Sequence, residues 1–411
     1  MSDPAAAARA LLCAEAVSTR AGKVFALIED GRSDHFSLNR DAMPALAESV
    51  AALTRERFPA LRVPLHARWR HFEIGGTDRF AQLARVRGWK APEDAARAMG
   101  DLAIVSVLLD AGAGPRWRYR EAATGTVIGR SEGLALASLA MFASGAFSAV
   151  PADPLRADAE ALSALSADEF AAGFQIDAKN PLDGAEGRRA LLAACAEALR
   201  TAPDIFAQED DPRPGGIIDA LAAEANGGTL PASAILSMVL EGLAPIWPSR
   251  IEIENIPLGD TWRHPALADD TPTGDLVPFH KLSTWLSLSL IEPLDVRGIT
   301  VTDLDALPGL AEYRNGGLFV DGGVLALRDP DAADRTHTVD EPLIVEWRAA
   351  TVALLSAIAP MVRDILGADQ KALPLAAILE GGTWLAGRQL AMAKRPDGSP
   401  PISIKSDGTV F

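Results

Sequence analysis

The sequence predicts a mainly α protein, multi-helical and built as one two-lobed unit with a few short strands. Three observations carry this. Helical spacing of apolar residues is much commoner than strict alternation. Hydrophobic residues make up 48% of the 411 positions, enough for a sizeable core. Finally, most connections are short and hold many of the 28 prolines and 34 glycines. No repeat with a period of 20–50 residues is visible, which argues against a solenoid.

In chain order, apolar periodicity predicts helices over 4–18, 44–56, 92–109, 131–144, 155–170, 187–200, 215–224, 231–243, 278–291, 340–365 and 373–394. Ser131 reads as a helix cap, with Glu132 at the positive end of that helix dipole. Short extended segments are expected at 22–28, 116–121, 250–255 and 318–327. The linker candidates are 149–154 and 207–216, and neither is long or low in complexity. They favour one unit over 1–411, with lobes of 1–150 and 151–411, rather than separable domains.

Charge and composition then exclude partners. The 55 Asp+Glu against 39 Lys+Arg give a net charge of −16. Nucleic-acid and anionic-membrane binding rest on the opposite balance. The apolar stretch 349–362 lies between Arg348 and Arg363 and reads as a buried helix rather than a membrane span. Only Cys13 and Cys195 occur, so neither a disulfide framework nor a thiolate zinc site is expected. The Met1-Ser-Asp-Pro start has no signal-peptide character, and a cytoplasmic location is expected.

Function has to be sought in dense polar islands. The run Arg70-His-Phe-Glu-Ile-Gly-Gly-Thr-Asp-Arg79 gathers His71, Glu73, Asp78 and Arg79 around a Gly pair. If extended, it places His71 and Glu73 on one face; a solvated turn explains it about as well. Arg130 before the 131–144 helix makes an anion site, although capping alone accounts for Ser131 and Glu132. On a helix, His280, Ser283, Thr284 and Ser287 form one polar stripe, suited slightly better to a lined cavity than to open surface. The segment Glu312-Tyr-Arg-Asn-Gly-Gly-Leu-Phe-Val-Asp321 brings two carboxylates to what also reads as a Gly-turned β-hairpin. Glu346 and Arg348 sit in an otherwise apolar helix, two residues apart and so on different faces; each needs its own partner, structural or in a central polar pocket. The Gly381-Gly382 pair after Glu380 costs about 2 kcal/mol in a helix and reads first as close packing.

Dinucleotide, P-loop, zincin, α/β-hydrolase and CxxC signatures are absent. Six histidines offer no close ligand pair beyond His66 and His71, so no metal and no cofactor is expected.

Taken together, His71-Phe-Glu-Ile-Gly-Gly, Arg130-Ser-Glu-Gly-Leu, Val277-Pro-Phe-His-Lys-Leu-Ser-Thr-Trp-Leu, Glu292-Pro-Leu, Glu312-Tyr-Arg-Asn-Gly-Gly-Leu-Phe-Val-Asp and Glu346-Trp-Arg resemble the uracil-catabolism family catalogued as a domain of unknown function. The resemblance spans nearly the whole chain. It implies a route that converts uracil to its nucleotide, opens the ring and releases urea, and hence a step that separates urea from a ribosylurea. Glu312-Tyr-Arg and Val345-Glu-Trp-Arg-Ala are also similar in order to runs in the queuosine-salvage nucleoside glycosylases, with Glu312 where those carry Asp. That likeness implies a DNA-glycosylase-like build.

The expected activity is therefore N-glycoside hydrolysis of ribosylurea or its 5-phosphate, through an oxocarbenium-like ribosyl cation. Glu312 or Asp321 is expected beside the sugar, with Glu346 holding ribose hydroxyls or positioning Arg314. Arg314 and Arg348 are expected on a phosphate. His71, Glu73, Asp78, Arg79, His280 and Lys281 are substrate-binding candidates, as is Tyr313, with Trp285 or Trp347 as an apolar wall. The alternatives are a non-catalytic binding or regulatory protein of the same pathway, and an amidohydrolase acting on the ureido group. The partner is a small ribosyl molecule; the sequence leaves the oligomeric state open.

Overall fold

The computed structural model describes residues 3–110, 112–207, 211–247 and 250–405, and it is mainly α. Its longest helices are Pro342–Leu366, Pro92–Leu108, Ala185–Thr201, Ala14–Glu29 and Lys281–Val296. Among the described residues, strands occur only as two-stranded pairs. One apolar core draws on residues from Phe25 to Ile402.

Pro342–Leu366 is apolar and long enough to cross a membrane by length and composition, but most of it lies inside this core. One side chain of Pro92–Leu108 holds the second candidate linker and the chain just beyond the first. Asp101, fully buried, accepts from the Ala157 and Gly215 amides at 3.0 and 2.6 Å and pairs with Arg213. Residues 208–210 of the second linker lie outside the described residues.

Two expectations fail for clear reasons. Residues 22–28 are not extended; they continue Ala14–Glu29, whose buried Val17, Ala21, Val24, Phe25 and Ile28 recur every three to four positions. The 312–321 segment is no hairpin. It is the helix Tyr313–Asp321, and only Leu325–Leu327 beyond it is a strand, antiparallel to Phe36–Leu38. Its glycines serve close crossing: a Cβ on Gly316 would lie 2.8 Å from the Trp347 indole. On the neighbouring Trp384–Lys394 helix, a Cβ on Gly387 would meet the Arg314 carbonyl oxygen at a clashing 2.1 Å.

The Gly381-Gly382 pair is close packing, as expected. Cβ atoms there would stand 2.9 Å from Thr54 and 2.6 Å from the Val50 carbonyl oxygen. The pair sits in a π-helical turn, Leu379–Thr383, a widening often found at functional sites.

Candidate functional site in an interior cleft

Lys281 opens the Lys281–Val296 helix. The preceding strand pair, Thr261–Arg263 with Leu276–Pro278, brings Asp260 under that helix start. Asp260 accepts from the Lys281 amide (3.1 Å), the Trp262 indole (2.7 Å) and Arg348 in a fork (2.7 and 2.8 Å). Burial is the largest influence on this carboxyl and pushes it up, but Arg348 and the hydrogen bonds outweigh it and hold it at about 2. Arg348 also stacks over Phe279 at 4.2 Å.

One turn into the same helix, Trp285 gathers residues from elsewhere in the chain. His71 meets it edge-on at 5.7 Å, His66 lies at 6.4 Å and the Arg68 guanidinium at 5.6 Å. His71 belongs to the short Trp69–Phe72 helix, which explains why Glu73 does not share its face. Arg68 is fully buried and reaches Ser106 (2.7 Å), Ser131 (3.2 Å) and Asp110 (3.1 Å). Asp110 follows Leu109, the C-cap of the helix Pro92–Leu108, and accepts from the Ser131 hydroxyl. Glu380, from the π turn, holds His66 at 2.9 Å and Arg57 at 3.0 Å. Glu312 caps Tyr313–Asp321, accepting from the Arg314 and Asn315 amides at 2.8 and 2.6 Å.

The charges on these groups act on one another. His66, His71, Asp110, Lys281, Tyr313 and Glu380 all keep accessible surface. Even so, burial is the dominant influence on His71, Asp110, Lys281, Tyr313 and Glu380. Burial raises Glu312 against the pull of its two amides and Lys281. Burial also lowers Lys281, which feels Glu312 most among its charged neighbours and Asp110 next. Asp110 is displaced the other way: burial pushes it up, but Arg68, His71 and Ser131 bring it below the usual range. Two carboxylates near one ammonium are thus driven apart, Glu312 up and Asp110 down.

Burial first, and the Arg68 charge second, push His71 down to about 3. Its folded state therefore binds a proton less readily than the unfolded chain. The stability this contributes is complete above the ordinary value of 6.5 and is lost as pH falls from there towards 3. Guanidinium denaturation across that window should show His71→Phe with a shallower pH slope than the parent, by up to about 1.4 kcal/mol per pH unit.

The backbone is strained on both sides of the cleft. His280, before Lys281, has φ +44°, and Arg130, before Ser131, has φ +59°. Such conformations in non-glycine residues cost about 1–3 kcal/mol and gather at ligand sites. Arg130 is exposed and acts electrostatically on Tyr313.

Of the residues expected from sequence, the structure brings Glu312, Lys281, His71, Trp285 and Tyr313 together. Others stand apart. Asp321, at the far end of the Glu312 helix, pairs with Arg395 (2.9 and 2.5 Å). Glu346 accepts from Ser33 at 2.5 Å and from His264 at 3.1 Å, and it does not position Arg314, which donates to the Gly398 carbonyl and stacks on Tyr313. Arg348 is committed to Asp260 and supports the site from behind. Trp347 packs on Gly316. His280 bonds the Leu11 carbonyl, and Ser283, Thr284 and Ser287 are buried hydroxyls, so the polar stripe is not open surface; Thr284 and Ser287 bond carbonyls of their own helix. Glu73 pairs with Arg70, and Asp78 caps Arg79–Arg87. Arg79 binds Glu121 and the Phe72, Ile74 and Thr77 carbonyls, stitching its own loop.

Sequence reasoning missed Arg68, Asp110 and Glu380 as site residues. The usable signal was a lone Asp110 ending an apolar helix and a glutamate beside a helical Gly pair. Asp321→Asn should weaken a buried pair and cost about 2 kcal/mol in denaturant titration while leaving turnover intact. Turnover lost with stability unchanged would return Asp321 to the site.

The fold is that of a helical protein, and its candidate site gathers carboxylates and an ammonium near histidines and an indole. The chain belongs to the family described as "Protein of unknown function (DUF1688)", which matches residues 10–411. It is 36% identical over 425 aligned residues, 95% of each chain, to "Uracil catabolism protein 4" of Lachancea kluyveri. It is also 37% identical over 411 residues, 98% of each chain, to "Protein urg3" of Schizosaccharomyces pombe. The family resemblance read from the sequence is thereby established.

Proposed function

We propose that this protein acts in uracil catabolism as an N-glycosidase, hydrolysing ribosylurea or its 5-phosphate to urea and ribose or ribose 5-phosphate. The observation that carries the reading is the pair of carboxylates displaced in opposite directions around Lys281, Glu312 upward and Asp110 downward. Cleaving a ribosyl C–N bond needs an acid to help the nitrogen leave and an ionised group to stabilise the ribosyl cation. Glu312 retains its proton to higher pH and serves as the acid. Asp110 stays ionised and faces the cation, and Trp285 walls the sugar from bulk water. Arg130, exposed beside Tyr313 and opening the Arg130–Ala143 helix, serves a 5-phosphate where one is present. The name of the Lachancea kluyveri relative supports the pathway.

Purified protein incubated with ribosylurea, with and without the phosphate, should release urea and reducing sugar in equal amounts. Ammonia and carbon dioxide instead would show an amidohydrolase, and no product a binding protein.

A further inference from the structure

Among the buried side-chain atoms without a hydrogen-bond partner are Arg68 Nη2, His71 Nδ1 and Trp285 Nε1. All three belong to residues gathered at one indole: the Arg68 guanidinium lies 5.6 Å above the Trp285 ring, and the His71 ring meets it at 5.7 Å. Two of these atoms are obligate donors. The third, on an imidazole kept neutral, is donor or acceptor according to tautomer. Buried polar atoms are almost always paired, so three orphans in one cluster call for a group that pairs them.

We infer that Arg68, Trp285 and His71 form a subsite for a small neutral ureido group, the N–C(=O)–N unit that would leave as urea. Its carbonyl oxygen accepts from Arg68 Nη2–H and the Trp285 Nε1–H, and its N–H donates to His71 Nδ1. Charge selects the class. Arg68 is already balanced by Asp110 at 3.1 Å, leaving little positive charge to take an anion out of water. Next to the Arg68 guanidinium, whose charge also lowers His71, an added cation is disfavoured at this end of the site. A planar, uncharged molecule with both donor and acceptor edges fits what remains. Because the orphaned atoms have almost no accessible surface, the ligand reaches them with a small rotation of the Trp285 or His71 ring. The identity of the leaving group rests on the glycosidase reading; the binding chemistry does not.

The test uses N-methylurea, acetate and guanidinium as probes, with the protein labelled at its tryptophan indoles. Trp285→Phe assigns the Trp285 Nε1–H resonance. Trp262 and Trp117, whose indoles already donate to Asp260 and to the Phe174 carbonyl, serve as internal controls for fold. N-methylurea should shift the Trp285 resonance saturably in the millimolar range, leaving the controls in place. His71→Phe should weaken that binding about tenfold, the worth of one hydrogen bond. Acetate and guanidinium should leave the resonance where it is. A Trp285 resonance indifferent to N-methylurea, or one that follows acetate or guanidinium, overturns the subsite. Saturable binding without cleavage of ribosylurea upholds the subsite and sinks the glycosidase. Cleavage with an unmoved Trp285 resonance does the reverse.

Discussion

Glu312→Gln should lower kcat for urea release from ribosylurea by at least about a hundredfold, the usual contribution of a positioned acid. Glutamine keeps the shape and one acceptor, so the helix cap loses only about 1 kcal/mol and the fold survives. The pH profile separates this from a structural effect. Burial raises the Glu312 carboxyl, so the parent holds the acid form below a raised pKa and loses it as pH climbs through that value. The alkaline fall in kcat should disappear in Glu312→Gln, which has no proton to lose. A variant with parental kcat and the same alkaline limb would remove Glu312 from the chemistry.

The second large effect is on stability. Arg348→Leu should destabilise the protein by about 3–5 kcal/mol in guanidinium titration, because it leaves Asp260 buried without its counter-charge. Asp260 is held at about 2 against an ordinary 3.8, so the folded state binds its proton less readily than the unfolded chain. Its contribution is complete above pH 3.8 and fades as pH falls towards 2. Losing Arg348 removes that contribution and loosens the Lys281 helix start, whose amide Asp260 accepts. Asp260→Asn in the Arg348→Leu background should recover much of the loss, since an amide costs less to bury unpaired than a carboxylate. No recovery would mean that the pair is not what holds this corner of the fold.

How much of this was legible in the sequence depends on what each residue answers to. Apolar periodicity is local and additive, so helices such as Met43–Arg57, Pro92–Leu108 and Pro342–Leu366 could be read to within a few residues. The Gly-rich 312–321 segment could not. Its helix has a local carboxylate cap in Glu312 but depends as well on Trp347 and the Trp384–Lys394 helix crossing close by, and neither of those is local. The need of Glu346 and Arg348 for separate partners followed from helix geometry; that the partners are Ser33 with His264 and Asp260 required the fold. Asp321 stood beside Glu312 in the sequence motif, yet a nine-residue helix of about 13 Å carries it to the opposite end. Asp110 and Glu380 were invisible as site residues because nothing near them in the chain shows that His66, Arg68 and Lys281 fold onto the same space.

The most direct test of the cleft as the reaction site is the crystal structure of Glu312→Gln soaked with ribosylurea. The substrate should lie between Lys281 and Trp285, its ribosyl carbon facing Asp110 and its ureido group towards Arg68 and His71. Substrate bound elsewhere would contradict the assignment. The places to look are the surface cavity of about 410 Å³ beside Asn39, Arg40 and Arg328 and the groove of about 530 Å³ at Trp262 and Val339.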